Sequence, residues 1–210
     1  MSANHPPVIL ASQSPRRFSL LREVLPHFEV MASEATELHD ASVGARRLCE
    51  INAQRKAFAV APLRPDRLVL GADTLVFLDQ QPLGKPKDLD DARAMLRRLS
   101  GRVHEVVTGV CLVHWSAAKV RMLSDSTRVG FRTLSDADIE GYLERVHVLD
   151  KAGSYALQEE GHRIIDAVEG SQSNVVGLPV EAVRRALARW HEVSPAPVPL
   201  VADFGTDGND

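Results

Sequence analysis

Blocks of apolar residues, broken by serine, proline and glycine, set the expected elements. Residues 8–11 form a short continuous apolar run that predicts a buried strand. Ser14 and Pro15 follow, a capping residue and a favoured first helical residue, so a helix begins there. Leu20, Leu21, Val24 and Leu25 give it one apolar face, and Pro26 ends it. Residues 28–31 predict a second strand, followed by the polar, acidic stretch "SEATELHDAS". Ser42 is expected to cap a longer helix that runs towards Ala61 and stops at Pro62. "RLVLGADTLVFL" is β-branched and apolar, so residues 67–78 predict a central strand, interrupted by Gly71, Asp73 and Thr74. Asp88 caps a helix through Leu99, with Gly101 beyond its end. Residues 103–115 and 119–131 predict long paired strands. Ser135 caps a helix through Leu143, "GHRIIDAVEG" reads as a strand, and residues 179–190 predict a final amphipathic helix. Strands and helices mix without strict βαβ alternation, which predicts an α/β fold: a mixed β-sheet with helices on its faces.

Composition narrows the class. The 210 residues, 44% of them hydrophobic, suit one domain or two closely joined lobes over residues 1–192. Residues 193–210 are rich in proline and small polar residues and read as a mobile tail. A formal net charge of -3 gives no support to coating nucleic acid, and no apolar stretch is long enough to cross a membrane. No secretory signal is seen at the start. Cys49 and Cys111 read as reduced core thiols, which fits a cytoplasmic protein. The histidines are scattered and none has ligand spacing with a cysteine, so a zinc site is not expected.

The chemistry concentrates in a few polar residues. Asp73 interrupts an apolar strand, where a carboxylate needs a cation, a metal or a cleft beside it. Arg16 and Arg17 open a helix against its dipole, beside free N–H groups, which suits a bound phosphate. Lys85 sits in a stiff Gly-Lys-Pro turn. Glu34 and Glu37 lie in a polar loop, and Lys56 lies on a helix with Arg46, Arg47 and Arg55. Each also has a plain reading: an exposed strand end or an internal ion pair for Asp73, and a solvated surface residue for the others. Together, cations for a polyphosphate and carboxylates for a hard divalent metal form a coherent set. The phosphate-loop pattern GxxxxGK[ST] is absent.

"LASQSPRR", "GADTLVFLDQQPLGKPKD", "LSGRVHEVVTGV", "DKAGSYALQ" and "EGSQSNVVGLP" occur in the order found in the Maf family, spread from Leu10 to Pro179. The sequence resembles the Maf nucleotide pyrophosphatases, and more closely their dTTP/UTP branch. The resemblance implies an elongated sheet with two lobes around a central cleft, an architecture like that of the inosine triphosphatases. It implies hydrolysis of a nucleoside triphosphate to the monophosphate and pyrophosphate with a divalent metal, Mg or Mn, a house-cleaning role, and a homodimer. Under it, Asp73 matches the catalytic proton acceptor. Arg16, Thr74 and Gln158 match positions tied to base choice. Ser14, Arg17, Lys56 and Lys85 match phosphate-holding positions, and Glu37, with Asp73, matches the metal side. In the 7-methyl-GTP branch the Arg16 and Gln158 positions differ. A glutamine both donates and accepts, as a uracil or thymine edge requires. The chain departs from the family at Ala156, where glycine is more frequent, and in the acidic pair Glu159 and Glu160. The expected partner is the triphosphate substrate, with neither nucleic acid nor membrane. The rival reading is a nucleotide-sensing regulator of cell division and septum formation that binds without turnover.

Overall fold

The computed structural model describes residues 5–195, so the tail expected from residue 193 falls, from residue 196 on, outside the described residues. Seven strands form one mixed sheet. β1 (Val8–Leu10) pairs in parallel with β2 (Glu29–Val30) on one side and with β3 (Leu68–Leu78) on the other. β3 then pairs antiparallel with β5 (Val103–His114), β5 with β6 (Lys119–Phe131), and β6 with β7 (Ile165–Glu169). The short β4 (Gln81–Leu83) folds back onto the end of β3.

Strand alternation divides β3 between two faces. Leu68, Leu70 and Ala72 pack with β1, α1 (Pro15–Arg22) and α6 (Val180–Ala188). Val69, Leu75 and Phe77 face the other way, towards α2 (Ala45–Val60). Further along, Val76 and Leu78 enter a third core built with α3 (Leu89–Leu99) and α4 (Asp136–Leu143). Asp73 and Thr74 fall where the strand passes from one core to the next. The strand is continuous there, so the polar pair marks a junction between cores and not a break in the ladder.

The same stretch borders a notch in the sheet. β1 covers β3 only from Leu68 to Leu70, and β4 covers it only from Val76 to Leu78. Between them, the β1-side edge of β3 has no strand partner among the described residues. Side chains from both faces of β3 can reach that opening.

Most expected boundaries hold. Asp88 and Ser135 cap α3 and α4 through their side chains, and Ser135 forms a full capping box with Asp138. Two expectations need correction, and one element was not expected. Ser42 does not cap the long helix: it lies in a single 3-10 turn, and Gly44, at φ +77°, takes the N-cap position of α2 without a side-chain bond. A left-handed turn here requires a residue without Cβ strain. Only the second half of "GHRIIDAVEG" is strand, because Gly161–Arg163 forms another 3-10 turn. The segment "SQSNVV" carries a short helix α5 (Gln172–Val176), capped by Ser171, that periodicity alone does not reveal.

Candidate functional site

A cleft of about 800 Å³ opens at the notch. Ser14, Arg16, Arg17, Glu37, Lys56, Asp73, Thr74, Lys85 and Gln158, all singled out from the sequence, line it. Glu34 does not. They arrive from six segments: the start of α1, the loop before α2, α2 itself, β3, the loop after β4 and the loop before β7.

The α2 side is built on close backbone approach. A Cβ on Gly71 would lie 2.4 Å from the Ala53 carbonyl oxygen, and one on Gly109 would lie 2.4 Å from the Cys49 carbonyl carbon. α2 therefore lies directly on the glycines of β3 and β5. Asn52 and Lys56, one turn apart on that helix, share one face and both reach Asp73. Lys56 Nζ donates to Asp73 Oδ1 at 2.6 Å and to Glu37 Oε1 at 2.6 Å. Asn52 Nδ2 donates to Asp73 Oδ2 at 3.1 Å. The Asn52 amide also pairs with both backbone groups of Leu38, accepting from its N–H at 2.7 Å and donating to its carbonyl at 3.0 Å. It thereby pins the acidic loop that carries Glu37. Asp73 is only 3% exposed, so both of its oxygens need these donors. Burial pushes the Glu37 carboxyl up, but the ammonium of Lys56 outweighs it and leaves the pKa below the usual value. Lys85 adds to this pull from the cleft rim.

The opposite face of β3 carries a second network. Arg17 Nε donates to the Gly177 carbonyl at 3.0 Å, and its terminal nitrogens donate to Thr74 Oγ1 at 3.1 Å and Ser12 Oγ at 3.4 Å. Thr74 Oγ1 lies 2.9 Å from Thr108 Oγ1, which bonds on to the Asn174 carbonyl at 3.1 Å. Burial pushes the Arg17 pKa down, against the pull of Asp73 and Glu37. Ser14 Oγ accepts from the Arg17 N–H, the expected helix cap. Arg16 extends away from this network and binds Asp150 at 2.8 Å. Gln158 and Lys85 are exposed at the rim and make no hydrogen bond to another described residue.

Several polar residues of this site were not singled out in the sequence, among them Asn52, Asp150, Lys151 and, in the Arg17 network, Ser12 and Thr108. Asn52 carries a legible signal, since it stands four residues before Lys56 on the same helix. Asp150 and Lys151 sit within "DKAGSYALQ" but have no periodic pattern around them.

A divalent metal needs hard oxygen donors, and the cleft offers the carboxylates of Glu37 and Asp73. They converge within one ammonium's reach, and Glu37 Oε2 accepts no hydrogen bond among the described residues. Among the described residues no group of three or more His, Cys, Asp or Glu side chains forms a cage. Two carboxylates, completed by phosphate oxygens and water, fit the way Mg is held at phosphate-binding sites. No described helix is long and apolar enough to cross a membrane.

The chain is similar to known proteins along most of its length. The family model described as Maf-like protein matches residues 7–190. A protein of Akkermansia muciniphila named dTTP/UTP pyrophosphatase is 50% identical over 182 residues, covering 87% of this chain and 95% of that one. A protein of the same name from Desulforamulus reducens is 41% identical over 181 residues, covering 86% and 95%. The solved structure of the Staphylococcus aureus Ham1 protein overlaps 59% of this chain and 71% of its own, with 15% identity and a TM-score of 0.44. The nine cleft residues all lie inside the matched span, and the chain belongs to the Maf family.

Proposed function

We propose that this chain is a nucleoside triphosphate pyrophosphatase that hydrolyses dTTP and UTP to the monophosphate and pyrophosphate. The observation that carries the reading is one cleft in which a buried carboxylate, Asp73, is held by Lys56 and Asn52 beside the cations Arg17 and Lys85. The names of the relatives support the substrate class.

The chemistry follows from the donors and acceptors. The triphosphate is drawn in by Lys85 and Arg17, whose guanidinium donates only to neutral oxygens and therefore retains its attraction for an anion. Each Asp73 oxygen accepts one hydrogen bond from the protein and keeps acceptor capacity for a water. That water attacks the α-phosphorus. Its proton passes to Asp73, the bond from the α-phosphorus to the bridging oxygen breaks, and pyrophosphate leaves with the electron pair. Lys56, Lys85 and Arg17 stabilise the charge that builds on the phosphoryl oxygens. Glu37 and Asp73 would hold Mg or Mn, which would supply neutralisation of the charge on the polyphosphate. The Gln158 amide, free at the rim, offers a donor and an acceptor to a uracil or thymine edge.

The test is product analysis with dTTP, UTP, CTP, 5-methyl-UTP and 7-methyl-GTP, with Mg and with Mn, in water labelled with heavy oxygen. The reading expects turnover of dTTP and UTP with label in the monophosphate alone. Label in pyrophosphate, or release of inorganic phosphate, contradicts attack at the α-phosphorus. Turnover of 7-methyl-GTP alone contradicts the proposed base preference. Tight nucleotide binding without turnover favours a sensor over an enzyme.

A further inference from the structure

Arg16 and Arg17 are neighbours in the first turn of α1, yet they are balanced differently. Arg17 meets only neutral oxygens. Arg16 meets a full negative charge. Its NH1 donates to Asp150 Oδ2 at 2.8 Å, and its NH2 lies 3.5 Å from the Asp150 carbonyl oxygen. Asp150 is 134 residues away in sequence and belongs to the far wall of the cleft.

Asp150 is also held from behind. Its other oxygen accepts from Lys151 Nζ at 2.9 Å. Lys151 is buried, is tied to the His147 carbonyl, and lies 3.4 Å from Glu159. Partial burial would raise the Asp150 carboxyl, but Lys151 and Arg16 together hold it down at about 2. The bridge is therefore charged throughout the neutral range.

A guanidinium whose charge is cancelled by a fixed carboxylate is a poor anchor for phosphate. It keeps most of its N–H donors, now fixed in direction. We infer that Asp150 is a positioning residue: it fixes the Arg16 guanidinium across the cleft and cancels its charge, so that Arg16 donates to the carbonyl groups of a pyrimidine base and leaves the phosphates to Arg17 and Lys85. This rests on the reading that the cleft takes a nucleoside triphosphate.

The test uses the full chain carrying Asp150→Asn, and two readouts that move apart. Without the carboxylate, Arg16 is loosened and its charge is freed. The kcat/KM for UTP falls about tenfold, mainly through KM, while inhibition by inorganic triphosphate, which has no base, strengthens severalfold. General damage to the cleft weakens both. In an Arg16→Gln background the same Asp150 change shifts either value by less than about twofold, because the residue through which it acts is gone. Unchanged values, or a loss of both, overturn the inference. Should Asp150→Asn not fold, Arg16→Gln alone decides. It lowers UTP kcat/KM and leaves triphosphate inhibition within about twofold, and equal losses of the two overturn the inference. Wild-type turnover of UTP tests the proposed function separately. Calorimetric affinities for UTP and triphosphate read the same split in a protein that binds without turnover.

Discussion

The Lys56 ammonium lies 2.6 Å from the Asp73 carboxylate, and Asp73 is almost wholly out of solvent. Lys56 also touches Glu37 at 2.6 Å, so one cation joins the strand carboxylate to the loop carboxylate. Removing it leaves Asp73 with Asn52 alone. Breaking a buried pair in this way costs about 3–5 kcal/mol. Lys56→Met is expected to lose stability in that range in urea denaturation, and to lose turnover. Adding Asp73→Asn restores most of the stability, since the stranded charge is gone, and leaves the protein inactive.

Gly71 and Gly109 set the distance between α2 and the sheet. Alanine at either place forces a methyl within 2.4 Å of helix backbone, which cannot yield as a side-chain end does. Gly71→Ala is expected to destabilise by at least the upper end of about 1–3 kcal/mol. It also pulls Asn52 and Lys56 off Asp73, so activity falls further than the unfolded fraction explains. Gly84→Ala is the control for stability: nothing lies within 4 Å of its Cβ, and the expected change is within about 0.5 kcal/mol.

Lys85 is exposed at the rim and bonds to no described residue. Its loss therefore leaves the melting temperature where it was. The proposed phosphate role predicts a KM for UTP raised about tenfold in Lys85→Ala, the scale of one charge-assisted hydrogen bond. An unchanged KM removes Lys85 from the phosphate set.

Stability has a pH window of its own. His104 is buried, with Nε2 2.7 Å from the hydroxyl of Tyr155, a residue of the cleft lining, and Nδ1 without a partner among the described residues. Burial pushes its pKa from 6.5 down to about 4. The unfolded chain therefore takes up a proton at higher pH than the folded one. The stabilisation is complete above pH 6.5, declines as pH falls, and is gone below about 4, a total of about 3 kcal/mol. His104→Gln is expected to flatten the stability profile between those values. Asp150, held at about 2, contributes its pH dependence below that window.

Much of this was legible in the chain. Proline, serine and aspartate mark the starts of α1, α3 and α4, because each supplies a backbone partner or a fixed φ locally. Asp73 stood out as a charge in an apolar strand, and the cleft explains it. Ser42 misled because Gly44 starts α2 by conformation and offers no side chain to read. The notch between β1 and β4 is a property of strand pairing, so no local pattern announces it. Asp150 was hidden for the same reason: its meaning lies in Arg16, on the opposite wall.

The most direct test of the account is pyrophosphate release from UTP by wild type and by Asp73→Asn, each first shown to be folded and to bind nucleotide. Loss of about a hundredfold or more in kcat, with UTP affinity kept within a fewfold, is the predicted result for a group that accepts the proton of the attacking water. Full turnover in Asp73→Asn would contradict it and move the proton acceptor elsewhere in the cleft.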